Sequence, residues 1–499
     1  MTDDTQPQTA DDSTGRRRSD RRRRVPLRTK LAFSSGGFQE GMVVAGRITT
    51  LIFYNQVLGV SAALCGVAYL VASIVDAVSD PMVGAISDRF RSRWGRRHPL
   101  MLMSALPIAI SFYFLYQPIS GLSEGALFAW QVCFLVLLRI STSFHNIPRD
   151  ALGAELTDDY HERTSVFGWY NVVATGAAVG LSLLVLNAVF PSTPAFSNGL
   201  LDPSRYVILA GFGAVVVLAA VLVCTFGTAD QIPHLHATTR RRFNFRDHYG
   251  ELRQLLANRS FVSVTASWLT IAAAQGVLDM VNIFTWIWVY DLSTEQFSVL
   301  AFAKIPGIFV ALPLAKYMTR RFDKKPTVIF TSAVSAVLVA FPHVLRLAGL
   351  FPGNDSALLL PLLFGPLFVG YALVTVMAIV VDSQLVDIAD DHELRTGSRA
   401  EGTIFSVREF AMKATEGFGG LIGGFGLELI RFPQNAEAEG VSAGTLTGLL
   451  VMSGPLCLLI YGVGILFMML YRLNAGRHEE ILTVLEARRA ARATGVGGG

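Results

Sequence analysis

The 499-residue chain is 52% hydrophobic and only 16% charged, with a mean hydropathy of +0.46 and a net charge of +4. A charged fraction so far below the roughly 25% of soluble domains excludes an ordinary soluble enzyme. The basic surplus is accounted for by membrane orientation and anionic lipid headgroups, so no nucleic-acid partner is expected. Cys65, Cys133, Cys224 and Cys457 stand apart in apolar stretches, without a disulfide framework or metal-ligand spacing.

Residues 1–27 are polar and arginine-rich, with Arg16, Arg17, Arg18 and Arg21 to Arg24, and are expected to be disordered. No small-residue cleavage site follows them, so a removable signal peptide is not expected. Apolar stretches long enough for a hydrocarbon core of about 30 Å then recur. They fall at residues 32–57, 61–86, 98–118, 125–150, 163–190, 204–227, 258–290, 296–318, 326–349, 357–385, 400–430 and 443–472. This predicts an all-α polytopic membrane protein of twelve helices. The domains expected are a six-helix half over 28–227, a linker over 228–257 whose second part forms a short helix, a second half over 258–475, and a tail over 476–499.

Basic residues crowd alternate connections, at Arg89, Arg91, Arg93, Arg96 and Arg97, at Arg240 to Arg242 with Arg246, at Arg320, Arg321, Lys324 and Lys325, and at Arg395 and Arg399. The connections between carry almost none, which places both termini in the cytoplasm. DPMVGAISDRFRSRWGRRHP and KIPGIFVALPLAKYMTRRFDKKP, each an apolar helix end followed by a cationic turn, form a weak internal repeat. Such matching signals mark duplicated transporter halves, although any cytoplasmic loop attracts Arg and Lys.

Within the apolar stretches, Asp76 and Asp80 lie at i and i+4 and therefore share a helix face. A carboxylate at the bilayer centre costs about 2.5–3.5 kcal/mol on insertion scales. With Ser79 between them, the pair offers hard oxygen ligands for Na⁺, or carries H⁺ on one carboxylate. The alternative is a structural salt bridge. Lys413 in the eleventh stretch is an available partner. Glu40 and Arg47, two turns apart, line a cavity or form an ion pair. Asn146 and Asp150 are again at i and i+4, with Pro148 between them and Ser143 one turn earlier. Asp279 is a cavity candidate, beside Gln275 and Asn282. Trp286 and Trp288 read as interfacial anchors. GFGGLIGGFG reads as close helix packing, and His145 as a packed polar residue. Asp88, Arg89, Arg96 and Arg97 read as a cytoplasmic charge latch. No Ser/His/Asp set, HExxH or CxxC is present, so no enzyme is expected.

SIVDAVSDPMVGAISDRFRSRWGRRHP, NIPRDALGAELTDDYHERT and DSQLVDIADDHELRTGSRAEGTIFS together resemble three signatures of the glycoside-pentoside-hexuronide:cation symporters. That family is typified by the melibiose carrier and is a branch of the major facilitator superfamily. The resemblance implies a major-facilitator-type fold of two pseudo-symmetric six-helix halves. It implies symport of a sugar or glycoside with Na⁺ or H⁺ by alternating access, in a bacterial inner membrane, by a monomer among membrane lipids and with no cofactor. It implies a cation site at Asp76, Ser79, Asp80 and Ser143, with Lys413 matching the family's nearby lysine. On the sugar side, Glu40 and Asn146 stand where the melibiose carrier has aspartates, Asp150 where it has the stacking tryptophan, and Trp169 where it has an arginine. The cation side is kept and the sugar side is rewritten. A related branch carries lysolipids, which makes other amphipathic solutes the alternative.

Overall fold

The computed structural model describes residues 24–157, 159–234, 245–304, 306–397, 400–435 and 440–495. All but the last residues of the arginine-rich tail, together with Arg240 to Arg242 and Arg399, lie outside the described residues. Named helices fill the rest: α1 (Gly36–Ile52), α2 (Ala62–Arg89), α3 (His98–Leu115), α4 (Glu124–Glu155), α5 (Tyr160–Leu184), α6 (Arg205–Gly227), α7 (Arg259–Phe284), α8 (Pro306–Phe322), α9 (Lys324–Leu347), α10 (Leu359–Thr396), α11 (Glu401–Leu429) and α12 (Ala443–Met469). A short helix precedes α7 at Phe245–Leu256, as the linker's second part suggests, and the tail forms a helix over Ala475–Gly495.

Helices therefore stand at every expected apolar stretch. Among the described residues, nine are long and apolar enough to cross a membrane. Those that fall short are α1, α8 and α11. The first has 17 residues and contains Glu40 and Arg47. The second is divided from Thr294–Ala301 by a 3₁₀ turn. The third carries Arg408, Glu409 and Lys413. Charge that dilutes an apolar window is the same charge that makes a helix a candidate for function.

Consecutive helices alternate in direction, so Arg89 to Arg97, Arg28 and Lys324 share one end of the bundle, here the basic end. The opposite, distal end holds the poorly charged connections. Two of these are built alike. The helix α1 runs into a π turn over Phe53–Val57, and α7 into one over Thr285–Val289. Leu58 N donates to Phe53 O, as Tyr290 N donates to Thr285 O. Gly59 (φ 74°) and Asp291 (φ 50°) follow in the left-handed region, and Ser61 and Ser293 then cap the next helices. Equivalent backbone breaks at equivalent places are the mark of a duplicated half.

The halves meet along α2 and α11. Here the glycine run of α11 serves two neighbours at once. A Cβ on Gly424 would stand 2.3 Å from Ala62 O on α2, and one on Gly419 would stand 2.4 Å from Gly276 on α7. Backbones approach this closely only where side chains are absent.

Candidate functional site

The helix α2 starts at Ser61, whose hydroxyl accepts from Leu64 N at 3.2 Å, and carries Asp76 and Asp80 on the face toward α4 and α11. Ser143 on α4 donates toward both carboxylates, 3.1 Å from Asp76 Oδ1 and 2.5 Å from Asp80 Oδ1. Lys413 on α11 hydrogen-bonds Asp80 Oδ2 and lies 3.1 Å from Asp76 Oδ2. Arg139 stands farther off, 3.9 Å from Asp76. Four of the five residues expected at the cation site thus converge. The fifth does not share in the contact: Ser79 turns its hydroxyl back to the Asp76 carbonyl at 3.2 Å. Its position between the aspartates points it along the helix, where the nearest acceptor is backbone.

Pro81 lies inside α2 and Pro148 inside α4. Each lacks an N–H and frees the carbonyl four residues earlier, at Ala77 and Phe144, beside the carboxylates and Ser143. The site is therefore rich in oxygen donors, the chemistry suited to a hard cation or a proton.

One turn nearer the basic end is a second cluster, whose centre sequence reasoning missed. Arg149, 2% exposed, lies in α4. Its Nη2 reaches Glu40 Oε1 at 3.0 Å and Asp150 Oδ1 at 2.8 Å, and its Nη1 reaches Asn146 Oδ1 at 3.2 Å. The guanidinium also stacks 4.3 Å above the Tyr170 ring of α5. Glu40 thus pairs with Arg149 across helices rather than with Arg47 along its own. Asp150 is 56% exposed although it lies in a helix apolar enough to cross a membrane. Trp169, next to Tyr170, is 41% exposed. His145 is buried with both ring nitrogens unpartnered.

Toward the distal end lies a cavity of about 300 Å³, lined from the first half by Arg47 and from the second by Asp279, Asn282 and Trp286. Asp279 therefore lines the cavity, as its place among the candidate residues suggests. The tryptophans are not lipid anchors. Trp286 lines the cavity, and Trp288 is 6% exposed, stacked on Phe284 with centroids 5.6 Å apart. Aromatics near a helix end resemble anchors in sequence, but here Trp286 lines a cavity shared by both halves and Trp288 packs on Phe284 and Phe432 within the second.

The cavity is sealed distally by hydrogen bonds between halves. Glu295 accepts from Ser192 N at 2.9 Å and Ser192 Oγ at 2.5 Å, Thr294 Oγ1 accepts from Gly199 N at 2.8 Å, and Asn198 donates to Leu292 O at 3.1 Å. Opposite these, Gln56 donates to Pro433 O at 3.1 Å. At the expected latch, Arg97 joins Asp88 at 2.8 Å and Glu155 at 2.9 Å and Arg96 joins Glu155 at 2.7 Å, all residues of the first half. Asp88 and Arg89 are exposed. Among the described residues, hydrogen bonds thus join the two halves at the distal end.

Residues 33–475 match the family described as MFS/sugar transport protein. The chain belongs to that family. It is 27% identical over 379 residues to the inner membrane symporter YicJ of Escherichia coli, covering 75% of this chain and 76% of that one. It is 23% identical to the isoprimeverose transporter of Lactiplantibacillus pentosus, with 80% of each covered. It is also 23% identical to the glucuronide carrier protein homolog of E. coli, covering 93% of this chain and 96% of that one. In fold it resembles the inward open conformation of the xylose transporter XylE from E. coli, with a TM-score of 0.60 at 14% identity over 91% of this chain and 98% of that one. The nucleoside transporter NupG superposes with a TM-score of 0.58 at 13% identity, over 90% and 99%. The fold is that of the major facilitator superfamily, and the protein is an integral membrane, secondary active transporter of a small organic solute rather than an enzyme.

Proposed function

We propose that the protein carries a sugar or glycoside in symport with Na⁺ or H⁺, through a twelve-helix bundle in a bacterial inner membrane with both termini in the cytoplasm. One observation carries the reading: Asp76 and Asp80 of the first half share a single lysine of the second, Lys413. Na⁺ among Asp76, Asp80 and Ser143, or a proton on one carboxylate, replaces the charge that Lys413 supplies. The pair then loosens, and the contact between halves changes with it. Cation and solute become coupled when each stabilises the state that binds the other.

One charge moving through 100 mV contributes about 2.3 kcal/mol, which supports roughly fifty-fold accumulation before any ion gradient is added. The solute meets Glu40, Asn146, Asp150 and Trp169 on the way from the basic end and Asp279 in the cavity. Asp88 and Arg89, exposed in the present form, engage the second half together with Arg96 and Arg97 when the basic end closes. The cavity's volume lies at the lower limit of small-molecule pockets, roughly 300–1,000 Å³. It suits a sugar-sized solute better than a lysolipid.

Thermal-shift measurements on purified protein across sugars, glycosides, uronates and lysolipids, with and without Na⁺, test this directly, because a ligand stabilises the fold according to its affinity. Stabilisation by a sugar or glycoside that grows with Na⁺ or with falling pH supports the reading. Stabilisation by lysolipid alone overturns it.

A further inference from the structure

The helix Leu27–Ser34 stands directly ahead of α1 and has two unlike faces. Thr29, Lys30 and Phe33, with Val25 just before the helix, are buried against the first half. Leu27 and Leu31, at i and i+4, are 55% and 45% exposed. Arg28 between them is exposed even while it reaches Asp230 at 2.6 Å. An outward stripe of leucine beside arginine, ahead of a membrane helix, suits the headgroup level of a bilayer. The charge upstream agrees: Arg16, Arg17, Arg18 and Arg21 to Arg24 place seven cations within residues 16–24 against one carboxylate, Asp20. The positive-inside rule accounts for the side on which these arginines lie, but not for what the buried face of the helix holds.

That buried face leads to Arg149. Val25 N and Lys30 Nζ both reach Glu162 Oε1 in the first turn of α5, at 2.9 and 2.8 Å, and Lys30 also donates to Ser165 Oγ at 2.9 Å. One turn on, the buried Phe33 stands edge-on to Tyr170, with centroids 5.7 Å apart. Tyr170 is the ring on which the Arg149 guanidinium stacks. A shift of residues 25–34 therefore moves the support of that guanidinium. We propose that this helix and the arginines before it dock on the anionic headgroups of the leaflet at the basic end, and that docking steadies Arg149 through Glu162 and through Phe33 and Tyr170. The proposal goes beyond the symport reading and holds whichever solute is carried, so its test uses none.

The test is hydrogen exchange over residues 160–170 of the full-length protein, in nanodiscs of phosphatidylcholine alone or with about 30% phosphatidylglycerol. The anionic lipid is expected to slow exchange about fivefold, and about 1 M NaCl to abolish the difference. Replacing the seven arginines by glutamine, all ahead of the packed residues, should leave the slower protection absent in both bilayers. Phe33→Leu keeps Lys30 on Glu162 and removes the edge contact, so protection should persist around Ser165 and be lost around Tyr170. Should Phe33→Leu fail to fold, the glutamine variant alone decides. Equal exchange in the two bilayers, or a lipid effect kept in full by the glutamine variant, overturns the docking. Slowing by inorganic phosphate in phosphatidylcholine discs, which would make the arginines an anion site independent of the bilayer, overturns it too. Protection kept at Tyr170 in Phe33→Leu overturns the relay to Arg149.

Discussion

Lys413 of α11 stands 3.1 Å from Asp76 of α2, an ion pair between the two halves deep in the bundle. Asp76 is 5% exposed, so a cation at this point is held by protein groups rather than by water. Asp76→Asn removes one of the two carboxylates and should abolish uphill uptake while leaving downhill exchange measurable. Accumulation equal to wild type in energised vesicles would remove Asp76 from the coupling site.

Lys413→Ala leaves Asp76 and Asp80 without their shared ammonium. The two carboxylates then repel, and a bound cation becomes the main relief. The variant should show about tenfold tighter cation binding, read as Na⁺- or pH-dependent thermal stability, together with slower transport. A cation dependence unchanged from wild type would show that Lys413 does not compete with the ion.

Arg149 gathers Glu40, Asn146 and Asp150, and its planar fork cannot be replaced by an ammonium. Arg149→Lys should keep the fold but weaken solute binding tenfold or more. Arg149→Met, which strands Glu40, should cost about 2–3 kcal/mol of stability, toward the lower end for a disrupted buried pair because Asp150 is largely exposed. Arg149→Met combined with Glu40→Gln should recover part of that loss in thermal unfolding. No recovery would mean that the guanidinium acts through packing on Tyr170 instead.

At the distal mouth, the two bonds from Ser192 hold the Glu295 carboxyl at about 2, below its usual 4.5. A lowered value means that the bond is at full strength above pH 4.5 and is lost only as the pH falls toward 2. Glu295 should therefore contribute no pH dependence between pH 5 and 8. In that range Glu295→Gln should alter the rate of distal opening but not the shape of the pH profile. A midpoint that moves in the variant would contradict this.

The crossing of α2 and α11 is equally specific. Gly424→Ala would press a methyl group against Ala62 O. This should lower the maximal uptake rate several-fold with the cation dependence preserved, since the contact lies away from the carboxylates. Wild-type rates would show that the two backbones separate freely here.

Asp76, Asp80 and Lys413 are legible in the sequence because charge inside an apolar stretch is conspicuous, and their meeting follows from the need to neutralise one another. Arg149 is hidden for the opposite reason. It lies toward the basic end of α4, where an arginine reads as an orientation signal, and only its burial shows that it organises the neighbours the sequence did single out. Ser192 and Glu295 are ordinary connection residues whose pairing depends on how two halves are set against each other. Trp286 was misplaced because an aromatic near a helix end looks the same whether lipid or a second half lies beyond it. The nine helices that are long and apolar enough to cross a membrane among the described residues, by contrast, follow directly from hydropathy.

The π turns that end α1 and α7, with a third at Val185–Val189 after α5, all lie at the distal face. A π turn holds one residue more than the α turn it interrupts. Two of these turns thus put spare backbone length in matching places at the distal face of both halves, while a fourth π turn lies within α12 at Met452–Leu456. Helices there can change register by one residue without breaking the chain's continuity, whereas beside the carboxylate pair the backbone irregularity comes from Pro81 and Pro148 instead.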